Sequence, residues 1–74
     1  MKCNERIRGI REDHDITQRE IAHILNISQR TYSDYESGRI RIPVEALIQL
    51  AEYYNLNMDY ISGISNIKKP FPKK

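Results

Sequence analysis

Apolar side chains recur along this chain at three- and four-residue spacing, interrupted at short intervals by residues that start or stop helices. In residues 4 to about 13 (NERIRGIRED), Ile7 and Ile10 lie on one stripe that Arg11 and His14 continue. Thr17-Gln18-Arg19-Glu20 reads as a capping box, in which the Thr17 hydroxyl accepts from the Glu20 amide and the Glu20 side chain reaches back to the Thr17 amide. Behind it Ile21, Ile24 and Leu25 predict a helix from about 18 to 25. Asn26 and Ile27 form a short connection, and Ser28 caps a helix that lasts to about Ser37 and is closed by Gly38. Pro43 suits the first turn of a fourth helix, where Val44, Leu47, Ile48, Ala51 and Tyr54 make one apolar face. Asn57 caps a last short turn, Met58 to Ser62, stopped by Gly63. The longest strand-like alternation is Ile40-Arg41-Ile42. The expected class is therefore all-α, a compact bundle of five short helices.

Size and composition narrow the function classes. With 74 residues, 39% of them apolar and 30% charged, the chain suits one small soluble domain. Its own core is expected to supply about 3–5 kcal/mol. The single cysteine, Cys3, excludes a disulfide-built fold, and no apolar run approaches the roughly 18 residues of a membrane helix. A reduced, cytoplasmic module is expected. The net charge of +2 says little until it is divided. Residues 67–74 (IKKPFPKK) hold four lysines and no acid, which leaves residues 1–66 at −2. Residues 1–63 are read as the folded domain and 64–74 as a non-helical basic tail, either solubilising or an added contact to DNA or a partner.

Residues 17–38, TQREIAHILNISQRTYSDYESG, hold the chemistry. Two short helices joined by three or four residues must cross steeply, which needs a small residue at the crossing and a left-handed turn. Ala22 and Asn26 supply them. Across residues 5–63 the sequence resembles the lambda-repressor-like fold of Cro and phage-repressor-type regulators, the XRE family. The resemblance rests on Ile7-Arg8…Arg11, Ile16-Thr17-Gln18…Ile21-Ala22, Ile27-Ser28…Tyr35-Glu36-Ser37-Gly38-Arg39, Pro43…Leu47-Ile48…Leu50-Ala51 and Met58-Asp59-Tyr60-Ile61-Ser62-Gly63. It implies a helix-turn-helix built from the second and third helices. It also implies a homodimer on double-stranded DNA, with the third helix in the major groove. The chain departs from the family pattern at Asp15 and Asn26, where glycine is frequent. It departs again at Tyr32, where a β-branched residue is common, and at Val44, where a capping serine is.

On the third helix, Tyr32, Tyr35 and Glu36 share one side, and Gln29, Arg30, Ser33, Asp34 and Ser37 share the other. Glutamine pairs with adenine and arginine with guanine, each worth about 1–3 kcal/mol of discrimination, although an ordinary solvated face has the same composition. The resemblance assigns base reading to Gln29, Arg30 and Ser33. Phosphate contacts are expected from Gln18, Ser37, Arg39 and Arg41, the two arginines otherwise lying in a solvated loop; Arg19 is a weaker candidate. Asp34 is expected to pair with Arg30 four residues earlier rather than to accept from cytosine. Arg11 and Glu36, opposite charges on facing apolar stripes, are expected to pair with each other, as the resemblance also implies.

No catalytic constellation and no metal-ligand spacing emerges from His14, His23 and Cys3, and Cys3 is taken as an incidental terminal thiol. Tyr53, Tyr54 and Tyr60 are expected to pack the C-terminal helices or a dimer seam. The expectation is a DNA-binding transcriptional repressor reading an inverted repeat, without enzymatic activity, cofactor, small-molecule substrate or membrane contact. The rival is an antitoxin or other regulator whose main partner is a protein.

Overall fold

Polar caps set the start of three of the five helices. The computed structural model describes residues 2–70. Its elements are α1 (Cys3–Asp13), α2 (Gln18–Ile24), α3 (Gln29–Ser37), α4 (Val44–Tyr54) and α5 (Met58–Ile61), with no strand among the described residues. Thr17 Oγ1 accepts from the Glu20 amide at 3.1 Å, Ser28 Oγ from the Thr31 amide at 3.1 Å and Asn57 Oδ1 from the Tyr60 amide at 2.8 Å. The expected return bond of the capping box is altered, because Glu20 Oε1 accepts from the Thr17 hydroxyl rather than from its amide. Pro43 is the N-cap of α4 and makes no side-chain cap.

Three helix ends close in one way, on a non-glycine residue in the left-handed region. Asp15 (φ 53°), Asn26 (φ 59°) and Asn55 (φ 56°) follow α1, α2 and α4. At each, the next residue donates back five positions: Ile16 to Arg11 O, Ile27 to Ala22 O and Leu56 to Ala51 O. The short side chains of Asp and Asn tolerate this backbone, so the glycines expected at Asp15 and Asn26 are dispensable.

The core gathers around α1 and α3. Ile7, Ile21, Tyr32, Leu50 and Ile61 are fully buried, and Ala22 is buried within α2. α1 packs on α3 and α5, α2 on α3, and α4 on α5. Two apolar faces differ from expectation. Ile24 is 38% exposed, and on α4 the buried set is Leu47, Leu50, Ala51 and Tyr54, with Val44 (63%) and Ile48 (37%) on the margin. The inward stripe of α4 runs i, i+3, i+4, i+7 from Leu47, which turns Ile48 to its edge and leaves Val44 beyond the core.

Residues 64–70 form no helix, but they do not hang free of the body. The Asn57 amide donates to Lys69 O at 2.8 Å, and Asn57 Nδ2 donates to Ile67 O and Lys69 O. The expectations for Lys73 and Lys74 lie outside the described residues.

Candidate nucleic-acid interface

The orientation of α3 follows from what it buries. Tyr32, Tyr35 and Glu36 face the core, at 0%, 7% and 6% exposure. Gln29 and Arg30 therefore stand exposed and Ser33 half-buried on the opposite side. These three, with Gln18, Asp34 and Arg39, line an open depression of about 500 Å³. Arg30 has no ion pair among the described residues, so its guanidinium is available to a ligand.

Behind that face, Arg11 grips Glu36 with two parallel bonds, Nε to Oε2 at 2.7 Å and Nη2 to Oε1 at 3.1 Å. Its third nitrogen, Nη1, donates to Ile16 O at 2.8 Å, which ties the turn before α2 to the same guanidinium. The two side chains are 13% and 3% exposed. Burial, the largest single influence on Glu36, opposes its charge. Hydrogen bonding from Arg11 and Gln18, with the Tyr32 hydroxyl near by, outweighs burial and holds the carboxyl below the usual glutamate range. The Tyr32 hydroxyl lies outside strict hydrogen-bond geometry but beside this carboxylate; burial first, then that negative charge, pushes its own pKa up. The pair thus joins α1 to the core side of α3.

The phosphate candidates are distributed less evenly than expected. Gln18 opens α2, but its Nε2 donates to Glu36 Oε1 at 3.1 Å, which makes its side chain part of the Arg11–Glu36 network. Arg39 and Arg41 are exposed in the segment after α3, as is Arg19 on α2. Asp34 pairs with Arg39 (3.7 Å) and not with Arg30. The left-handed Gly38, at φ 80°, turns the chain back over the last turn of α3 and brings Arg39 to the carboxylate. Ser37 Oγ donates to Asp34 O and accepts from the Arg39 amide, so it also serves the helix end.

Two residues of α1 escaped sequence reasoning. Asn4 Nδ2 donates to Glu36 O at 3.2 Å. Arg6 is 5% exposed; its Nη1 donates to Tyr60 O and Ser65 O, its Nη2 to Asn66 Oδ1 at 2.8 Å, and its guanidinium lies 4.0 Å from the Tyr60 ring centroid. A signal for Arg6 existed, since it precedes Ile10 by four residues and follows Cys3 by three on the buried stripe. Cys3 is half-buried against the core rather than an idle terminal thiol, and burial raises its pKa. Tyr54 packs against His14 and Tyr53, while Tyr53 remains 49% exposed. Among the described residues no acidic, His or Cys group of three or more is placed to hold a metal, and no helix is long and apolar enough to cross a membrane.

Comparison with known proteins matches this arrangement to a family. The chain is 31% identical over 70 residues to the uncharacterized HTH-type transcriptional regulator YobD of Bacillus subtilis, covering 95% of this chain and 62% of that protein. It is 31% identical over 64 residues to antitoxin PezA of Streptococcus pneumoniae (86% and 40%). It is also 32% identical over 63 residues to the cryptic phage CTXphi transcriptional repressor RstR of Vibrio cholerae (85% and 56%). The crystal structure of a transcriptional regulator from Listeria innocua superimposes with a TM-score of 0.80 at 32% identity, covering 84% of this chain and 58% of that one. The chain thus spans about two fifths to three fifths of the length of these proteins. The helix-turn-helix family model matches residues 7–61, which in this fold run from the middle of α1 to the end of α5. With the packed α2–α3 pair, its left-handed Asn26 and the Arg11–Glu36 tie all inside that match, the chain belongs to the helix-turn-helix family of Cro and phage-repressor type, the XRE family.

Proposed function

We propose that this chain is a sequence-specific double-stranded DNA-binding module of a transcriptional repressor. It acts in the cytoplasm as a homodimer and reads an inverted repeat through the major groove. One observation carries the reading: α3 commits Tyr32, Tyr35 and Glu36 to the core and leaves Gln29, Arg30 and Ser33 together on its outward face. In this reading Gln29 pairs with adenine, Arg30 with guanine, and Ser33 reads a neighbouring edge. Arg39 and Arg41 take phosphates on one flank, Ser37 closes the same flank, and Gln18, its side chain held on Glu36, takes a phosphate through its backbone amide where α2 begins. Residues 1–63 supply the reading domain, and 64–74 take no part in base reading. The repressor assignment draws on the similarity to a protein named as a phage repressor.

Selection from a random duplex pool, followed by titration at two salt concentrations, tests this. The expected product is a palindrome with half-sites about 34 Å apart. Arg30→Ala should weaken it by about 1–3 kcal/mol, and removal of residues 71–74 should leave the preferred sequence unchanged. Absent or salt-insensitive binding would refute the proposal. A second reading is favoured by the similarity to a protein named as an antitoxin, in which a protein partner is the main target. A stoichiometric partner that co-purifies with the chain, combined with failure of the selection, would decide for it.

A further inference from the structure

We propose that Asn4 is a positioning residue for DNA recognition, which from α1 sets the end of the reading helix and the direction in which Arg39 and Arg41 leave it. The inference rests on the DNA-reading proposal above.

α1 holds α3 at one residue from two points. Arg11 takes the Glu36 carboxylate, and Asn4 Nδ2 donates to the Glu36 carbonyl at 3.2 Å. The two donors sit seven residues apart on α1, about 10 Å along its axis. Both bonds end on Glu36, so α1 holds the last turn of α3 by its backbone as well as by a side chain, and loss of the Asn4 bond leaves only the side-chain tie.

The second tie falls where the chain turns toward the phosphate-facing segment. Gly38 follows at φ 80°, and a Cβ built there would meet Asn4 Nδ2 at 3.3 Å, so the turn and the amide are fitted to each other. Beyond it the Ile40 amide donates to Asp34 O at 3.2 Å. The segment then borders an open depression of about 520 Å³ lined by Cys3, Asn4, Tyr35, Gly38, Arg39 and Arg41 among others. Ile42 packs against the core at the far end of the segment, and the Asn4 bond holds the end of α3 from which the segment starts. Loss of that bond lets both arginines shift relative to Gln29 and Arg30.

The experiment uses the full chain with Asn4→Ala and Asn4→Asp. Dissociation constants are measured for the selected operator and for a scrambled duplex, over a range of salt, at a temperature where circular dichroism shows every variant folded. Asn4→Ala should weaken operator binding about 2- to 13-fold, the range of one hydrogen bond, and lower the salt slope by about one phosphate contact. Asn4→Asp keeps the shape but sets a carboxylate against the carbonyl end of α3, and should lose more. In an Arg39→Ala/Arg41→Ala background, Asn4→Ala should cause no further loss. A folded Asn4→Ala with unchanged affinity and salt slope, whatever its melting temperature, overturns the proposal. A loss that persists without the two arginines overturns the route through them. Wild-type protein that prefers no duplex sinks the DNA reading itself and this inference with it.

Discussion

Replacing Arg11 with methionine should remove a large share of the stability of the domain at neutral pH and much less of it in acid. The substitution keeps the apolar stem but deletes both bonds to Glu36 and the bond to Ile16 O. Glu36, 3% exposed, would keep the Gln18 amide as its donor, with the Tyr32 hydroxyl near by. A buried charge stranded in this way costs about 3–5 kcal/mol. A chain of 74 residues has roughly 4–11 kcal/mol in total, so the melting temperature should fall by 12 °C or more. The pH dependence makes the test sharper. Burial is the largest influence on Glu36 and raises its pKa; in the intact protein the hydrogen bonds outweigh it and the net direction is down. A depressed carboxylate contributes stability above its unfolded value, about 4.3, and that contribution is lost as pH falls through the folded value. Without Arg11, burial is opposed far less and the Glu36 pKa rises above the unfolded value. The variant then recovers stability as pH falls toward that value. Urea unfolding of both proteins at pH 7 and pH 4.5 should show the gap narrow in acid. A loss below about 1 kcal/mol at pH 7, or a gap equal at the two pH values, would refute the account of the pair. Arg11→Met combined with Glu36→Leu should restore more than half of the loss.

Gln29→Ala should relax the choice at one base pair, whereas Arg39→Ala should weaken all duplexes about equally and lower the salt slope by about 1; binding titrations on single-substituted operators separate the two. Burial holds the Tyr54 phenol neutral up to about 12, so its contribution to stability is complete below the unfolded value near 10 and is lost as pH rises from there toward 12. Tyr54→Phe should flatten that alkaline decline and, because the hydroxyl is buried without a partner, cost less than about 1 kcal/mol at pH 7. Arg6→Met should destabilise by about 2–3 kcal/mol and speed hydrogen exchange at the Asn57 amide, whose acceptor is Lys69 O in the segment that Arg6 fastens. Gly38→Ala should cost about 1–2 kcal/mol for its left-handed backbone, with part of the penalty relieved in an Asn4→Ala background; thermal unfolding of the three variants checks it.

The parts of this fold legible in the sequence are those that local rules decide. Thr17, Ser28 and Asn57 cap helices because each supplies an oxygen within three residues of an unpaired amide, and the reading face follows from the turn angle of one helix. Asp34 shows where such rules stop. Arg30 is four residues away on the same helix, but the turn at Gly38 delivers Arg39 to the carboxylate instead. Asn4 and Glu36 are 32 positions apart, and Arg6 and Asn66 are 60 apart; no periodicity links them.

These distant ties share one physical cause. Helices end in carbonyls that need donors, and the two glycine-ended helices, α3 and α5, take theirs in part from α1, through Asn4 to Glu36 O and Arg6 to Tyr60 O. Arg11 supplies a donor to a turn carbonyl, Ile16 O, before α2. Asn4 and Arg6, polar residues of α1 that look solvated in sequence, are therefore internal fastenings. That also explains why a net charge of +2 is a poor guide to DNA. Arg6 and Arg11 are spent inside the protein, while Arg30 and Arg41 remain outside without an ion pair among the described residues, beside an Arg39 held only loosely by Asp34. Positive charge reaches the outward face of α3 because α1 holds that helix in place with charges of its own.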